Sequence, residues 1–282
     1  MILVTGSTGT VGSELVRQLK AAGAKFRVAV SSLTKAKKAN AEGLEAAVLD
    51  YTDPETFRYA LQGVDKLFLL SPPGSTHVEA AVIEAARKAD VKHIVKLSVI
   101  GAESGATIFA REHAAMEKEI LKSGIPYTFL RCNAFMQNYI NNFATSIKAQ
   151  SAFYLAQGDS RCSVVDVKDI AAVAVKALTQ PGHENKSYVI TGPEALNNTQ
   201  IAEKLSKAAG KKVNYVALTD EQMREGMTGQ GVPPAIIDAM LDLMHFYISG
   251  KAAVVSPDVR KVAGREGTTF DQFAQENAAA FQ

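Results

Sequence analysis

The chain of 282 residues contains no tryptophan and only two cysteines, Cys132 and Cys162. Two cysteines make no disulfide framework, and neither stands in a metal-binding spacing, so both read as small, partly buried residues of a reducing compartment. Acids and bases nearly balance at 29 against 31, a net charge of +2. That balance removes any electrostatic case for nucleic acid or membrane as a partner. No uninterrupted apolar run approaches a membrane span, and the first residues lack the basic flank and long apolar core of a signal peptide. There is no internal repeat and no low-complexity segment. These absences predict a soluble, cytoplasmic protein without a metal.

What is present is a large apolar share, 47% of residues, and an ordered beginning. Met1-Ile2-Leu3-Val4-Thr5 runs as a strand into Gly6-Ser7-Thr8-Gly9-Thr10-Val11-Gly12, and a helix-forming segment starts at Ser13. A strand, a glycine-rich turn and a helix with no spare residues form a dinucleotide-binding element. Gly6 permits the tight turn, Gly9 lets the backbone approach a pyrophosphate, and Gly12 lets the helix pack on the strand.

The first half then alternates steadily. Strands are expected at Ile2–Thr5, Phe26–Val30, Ala46–Leu49, Lys66–Leu70, His93–Leu97 and Tyr127–Arg131. Amphipathic helices are expected near Ser13–Ala22, Pro54–Leu61, Ser75–Ala89 and Ala110–Ser123. This beat predicts an α/β fold, a Rossmann-type doubly wound parallel sheet. After Arg131 it breaks. Asn133–Ile147 reads as helical, a helix follows from Ile170 to Thr179, and Ser187–Thr191 returns to the sheet. The remainder is mainly helical, a small C-terminal lobe. The expected division is 1–132 plus about 155–191 for an NAD(P)-binding domain, and 133–154 plus 192–282 for a substrate-binding lobe.

The end of the second strand bears on the cofactor. An Asp or Glu there holds the ribose 2′-hydroxyl of NAD. Here it reads Val30-Ser31-Ser32, with Lys35, Lys37 and Lys38 following. Two hydroxyls and a lysine cluster suit a 2′-phosphate, so NADP(H) is preferred and NAD(H) kept as an alternative. Lys37 and Lys38 read more readily as a solvated helix start than Lys35. Asp50 and Tyr51 are placed to flank the adenine, and Leu70, Ser71 and Pro72 to lie along the adenosine and pyrophosphate. Thr8, Thr10 and Val11 complete the turn. Ser98 ends the fifth strand where the nicotinamide is expected, although a serine there is also a common cap.

A ketone reductase of the short-chain type uses Tyr-x-x-x-Lys, in which the lysine lowers the tyrosine pKa. The helix after the fifth strand has no such pair. His113 and Glu117 stand there instead, at i and i+4. Either the carboxylate orients the imidazole, or the two form a surface pair; spacing alone favours the latter.

Four stretches carry a family resemblance: Val4 to Gly12, Glu112-His113 with Glu117, Ser123 to Arg131, and Gly182-His183-Glu184-Asn185-Lys186-Ser187-Tyr188. In order and spacing they resemble the NmrA-like branch of the atypical short-chain dehydrogenases over nearly the whole chain. Within it the likeness is to bacterial quinone-reducing and triphenylmethane-dye-reducing members. The resemblance implies an NAD(P)H-dependent oxidoreductase that transfers hydride to a quinone or a similar electron-poor conjugated acceptor. Lys35 falls where the family has a lysine beside the 2′-phosphate, whereas Ser31 replaces a usual arginine. The resemblance also raises His113 to a candidate catalytic residue, against a structural role below the nicotinamide.

Asn133, Phe135, Met136 and Tyr139 begin the substrate lobe and are candidates for a pocket that takes a small aromatic acceptor. Aromatic and methionine residues at such spacing are also ordinary core. Arg131 reads as one half of a structural ion pair and His183 as part of a surface turn. A homodimer stays open. The alternative function is a non-catalytic NAD(P) redox sensor of the NmrA type with a protein partner.

Overall fold

The computed structural model describes residues 1–71 and 76–282. The described residues form nine strands: β1 (Ile2–Val4), β2 (Phe26–Val30), β3 (Ala46–Val48), β4 (Lys66–Leu69), β5 (His93–Val99), β6 (Tyr127–Cys132), β7 (Ala152–Leu155), β8 (Lys186–Ile190) and β9 (Asn214–Ala217). The chain divides into two compact units. The first comprises Met1–Val99, Glu112–Arg131 and Val167–Val189; the second comprises Ile100–Arg111, Cys132–Asp166 and Ile190–Gln282.

The first unit is built on a seven-stranded sheet in the order β3-β2-β1-β4-β5-β6-β8. β1 pairs in parallel with β2 on one side (Leu3 opposite Arg27) and with β4 on the other (Leu3 opposite Leu67). The strand order therefore reverses at β1, and the space beyond its carboxyl end is where open α/β sheets take a ligand. Leu3, Leu67, Leu69 and Ile94 are buried from both faces, which explains their continuously apolar strands. The helix Thr10–Ala21 lies along the helix Val167–Thr179, and Gln18 Nε2 donates to the Lys168 carbonyl at 2.9 Å.

In the second unit, β7 and β9 form a separate parallel pair. Its core gathers Phe153, Tyr139, Leu205, Phe270, Phe273 and Phe281. Side-chain and backbone caps of Asn197 with Gln200, Thr219 with Gln222 and Thr269 with Gln272 start three of its helices.

Three expectations need correction. Asn133–Ile147 is not one helix. Met136 N donates to the Val165 carbonyl and Val165 N to the Ala134 carbonyl, which holds this stretch extended until the helix Asn138–Asn141. Residues 155–166 belong to the second unit rather than the first, because Cys162 pairs antiparallel with Leu196 and Ser163 N donates to the Ala252 carbonyl. The β7–β9 pair itself was not expected; its four-residue strands are too short to show a period. Among the described residues, no helix is long and apolar enough to cross a membrane, and no cluster of His, Cys, Asp and Glu is arranged to hold a metal ion.

Candidate cofactor and acceptor sites

The glycine turn is compact for steric reasons. Gly6 has φ +61°, and a Cβ there would lie 2.9 Å from Leu70 Cγ. A Cβ on Gly12 would lie 2.0 Å from the Gly6 carbonyl oxygen, so only glycine lets the helix start against the turn. Thr5 Oγ1 donates to the carbonyls of Phe68 and Leu70 and accepts from Leu70 N at 2.8 Å, which ties β1 to the end of β4. Gly9 is the N-cap of the helix Thr10–Ala21. No side chain caps this helix and no acid stands in its first turn, leaving its positive end to an external anion. Thr10 begins the helix and Val11 is buried in its inner face, so Val11 can offer a ligand only backbone.

Beside this turn lies a pocket of about 170 Å³ lined by Gly6, Ser7, Thr8, Ser31, Lys35 and Tyr51, with Leu49 and the end of β2 behind them. Lys35 Nζ donates to Ser31 Oγ at 3.0 Å. Among the described residues, no carboxylate lines the pocket. Burial pushes the Tyr51 phenol up to about 12, so it stays protonated. Two expected members stand elsewhere. Ser32 is the N-cap of the helix Leu33–Ala41, its Oγ accepting from Lys35 N at 3.3 Å. Asp50 turns its carboxylate onto Thr52 N and Oγ1 at 2.9 and 2.8 Å, outside the pocket lining. Both are short polar residues that satisfy nearby backbone first. Pro72 lies outside the described residues.

A buried polar group sits below the strand ends. Glu79 Oε1 accepts from Lys96 Nζ at 2.9 Å and from Ser71 Oγ at 2.6 Å. Both charged side chains are essentially inaccessible, and Glu79 Oε2 has no partner among the described residues. Sequence reading missed this pair; its one signal was a lysine inside an apolar strand.

His113 and Glu117 do not pair. Glu117 receives Arg131 Nε at 3.1 Å, Arg131 Nη2 at 2.7 Å and Ser98 Oγ at 2.6 Å. Arg131 is thus half of a structural pair, and the Ser98 hydroxyl is spent inside the unit rather than offered to a cofactor. Burial, with the nearby Lys96 charge second, pushes His113 down to about 3, so the imidazole is neutral at neutral pH. Its Nδ1 is buried and makes no hydrogen bond among the described residues. His183 is half-buried, not a plain surface turn: its Nδ1 meets the Tyr188 hydroxyl at 2.9 Å and its carbonyl accepts from Thr128 Oγ1 at 2.6 Å. The Gly182–Tyr188 motif is thereby a folding element.

The second unit contains its own cavity, of about 80 Å³, lined in part by Phe135, Asn138, Tyr139, Met240 and Met244. Of the four candidates, Phe135 and Tyr139 reach it. Asn133 does not: its Nδ2 donates to Ser163 Oγ and the Ala252 carbonyl, and its Oδ1 accepts from Ala134 N. Met136 is wholly buried in the core and also stays out of the lining.

The NmrA-like family model matches residues 1–274. An NAD(P)H azoreductase of Xenophilus azovorans is 43% identical, over 100% of this chain and 99% of its own. Quinone oxidoreductase 2 of Escherichia coli (strain K12) is 34% identical, over 96% of each. The crystal structure of an NADPH-dependent quinone oxidoreductase from Escherichia coli complexed with NADPH superposes with a TM-score of 0.89, at 31% identity, over 98% of this chain and 99% of that one.

Proposed function

The chain belongs to the NmrA-like family, and from that premise we propose that it is an NAD(P)H-dependent reductase of quinones or similar electron-poor conjugated acceptors. The first unit binds the cofactor and the second receives the acceptor. The observation that carries the reading is the pocket beside the glycine turn, whose charged and hydroxyl groups are donors: Lys35 Nζ and Ser31 Oγ stand together where a carboxylate would select NADH.

The residues present fit NADP(H). The uncapped helix Thr10–Ala21 suits the pyrophosphate, Lys35 and Ser31 suit the 2′-phosphate, and Tyr51 with Leu49 offers an apolar wall to the adenine. When bound, the reduced nicotinamide supplies a hydride. Gly6 and Gly12 let the backbone close on the phosphates, and the Thr5 hydroxyl fixes the end of β4 beside them. His113, held neutral, offers one N–H and one lone pair and is no reservoir of ionisable protons near pH 7.

The helix Ile108–Ser123 carries no Tyr-x-x-x-Lys and its His113 imidazole is neutral, so it supplies no strong acid for an alkoxide. A quinone, azo compound or cationic dye delocalises or neutralises the added charge, takes its proton from water and leaves positioning as the main requirement. Xenophilus azovorans and Escherichia coli relatives named as azoreductase and quinone oxidoreductase support this acceptor class. Two buried cysteines not joined in a disulfide accord with a cytoplasmic location.

The test is NADPH oxidation against quinones, azo and triarylmethane dyes, and simple ketones. Quinones should turn over; faster turnover of a simple ketone than of any conjugated acceptor would sink the reading.

A further inference from the structure

The second-unit cavity is apolar, with amides. Met240, Met244 and Tyr247 line it from one face of the helix Pro234–Ile248, and Phe143 and Leu155 from other segments of the same unit. None of its lining residues is charged. Gln157, only 5% exposed, also lines it.

Gln157 is held in one orientation by its neighbours. The Tyr139 hydroxyl donates to Asn198 Oδ1 at 2.8 Å, and Asn198 Nδ2 donates to Gln157 Oε1 at 3.0 Å. The oxygen of Gln157 is thereby engaged, while its amide nitrogen makes no hydrogen bond among the described residues. An amide N–H without a protein partner among the described residues, on a side chain only 5% exposed that lines the cavity, is a donor a ligand oxygen can engage.

We propose that this cavity binds one neutral aromatic ring bearing a hydrogen-bond-accepting oxygen, and that Gln157 Nε2 recognises that oxygen. For the identity of the acceptor this deepens the function proposed above and rests on it. The cavity has about half the ~150 Å³ of an apolar cavity that admits benzene. A single ring therefore enters by displacing the flexible thioether chains of Met240 and Met244, and a fused system does not. A cation finds no carboxylate to offset its desolvation. Oxygenated single-ring acceptors such as benzoquinones are favoured over cationic dyes.

The full chain labelled with [¹³C-methyl]methionine reads the site directly, without turnover. Acetophenone, ethylbenzene and phenyltrimethylammonium serve as probes. Acetophenone should shift the Met240 and Met244 methyl signals and bind at least about fivefold tighter than ethylbenzene, the worth of one neutral hydrogen bond. The cation should shift neither.

Gln157→Glu keeps the oxygen that Asn198 needs and removes the donor, so at pH 8 the preference for acetophenone should vanish. Met240→Trp fills the cavity from a half-buried position and should block both neutral probes at Met244. Absent shifts at about 10 mM ligand, equal affinity for acetophenone and ethylbenzene, or an unchanged preference in Gln157→Glu would each overturn the proposal. A chain that binds acetophenone through Gln157 but oxidises NADPH with no acceptor supports this site and sinks the reading above.

Discussion

Glu117 and Arg131 are joined by two hydrogen bonds, at 3.1 and 2.7 Å, between a helix and the strand that follows it. Ser98 adds a third at 2.6 Å. The carboxylate, one helical turn after His113, is therefore spent on the sheet and unavailable to activate the imidazole. Arg131→Leu would leave Glu117 buried without its counter-charge. It should lower unfolding stability by about 3 kcal/mol in urea denaturation, and combining it with Glu117→Leu should recover part of the loss. Additive losses would show that the two side chains are not coupled.

His113→Ala should reduce kcat less than about tenfold at neutral pH. The imidazole is already neutral above about pH 4, since burial and the Lys96 charge hold it near 3. Between pH 5.5 and 8.5, wild type and variant should show pH–rate profiles of the same shape. A loss of about a hundredfold confined to kcat, or a titration near 6.5 that disappears in the variant, would make His113 the general acid.

Lys35→Ala should weaken NADPH by about 1–2 kcal/mol and leave NADH nearly unchanged. The Nζ–Ser31 contact at 3.0 Å places the ammonium at the pocket proposed above for the 2′-phosphate. Dissociation constants for both cofactors, measured by calorimetry, decide it. Equal losses would show that the phosphate is held elsewhere.

Gly12→Ala should abolish cofactor binding and lower the melting temperature together. The added Cβ would lie 2.0 Å from the Gly6 carbonyl oxygen, a backbone atom that cannot step aside without moving the turn. Retention of wild-type NADPH affinity by a folded Gly12→Ala chain would contradict the close approach.

His93 should make the protein acid-sensitive. Its Nε2 meets Thr128 Oγ1 at 2.9 Å, and Thr128 gives its own proton to the His183 carbonyl. Burial, then the Lys66 charge, pushes the imidazole down to about 4. An unfolded histidine titrates near 6.5, so between those values the unfolded chain binds more protons and stability falls as pH drops. The full loss is about 3 kcal/mol by pH 4. Thermal melts from pH 7.5 to 4.5 should fall less steeply for His93→Gln; His113 acts in the same direction and leaves a residual slope. Parallel curves would show that His93 does not titrate with unfolding.

The alternation of apolar strands and amphipathic helices determined the architecture of the first half from the sequence alone. Periodicity is a local property, and helix and sheet each impose one. The turn from Gly6 to Gly12 was equally legible, because each glycine answers a steric demand within a few residues. Family resemblance added the acceptor class, which no residue spacing contains.

Partner choice was not legible. Glu117 was four residues from His113 in sequence, yet it paired with Arg131, fourteen residues on. Lys96 found Glu79 seventeen residues away, and the Gln157 oxygen found Asn198 across forty-one. Ser32 and Asp50, expected beside the cofactor, accept hydrogen bonds from the backbone N–H groups of Lys35 and Thr52. Local spacing sets which side chains are able to meet, but a buried polar group takes whichever partner the packed sheet brings within hydrogen-bond reach. Only the tertiary structure decides that, because leaving such a group unpaired costs more than any local preference supplies.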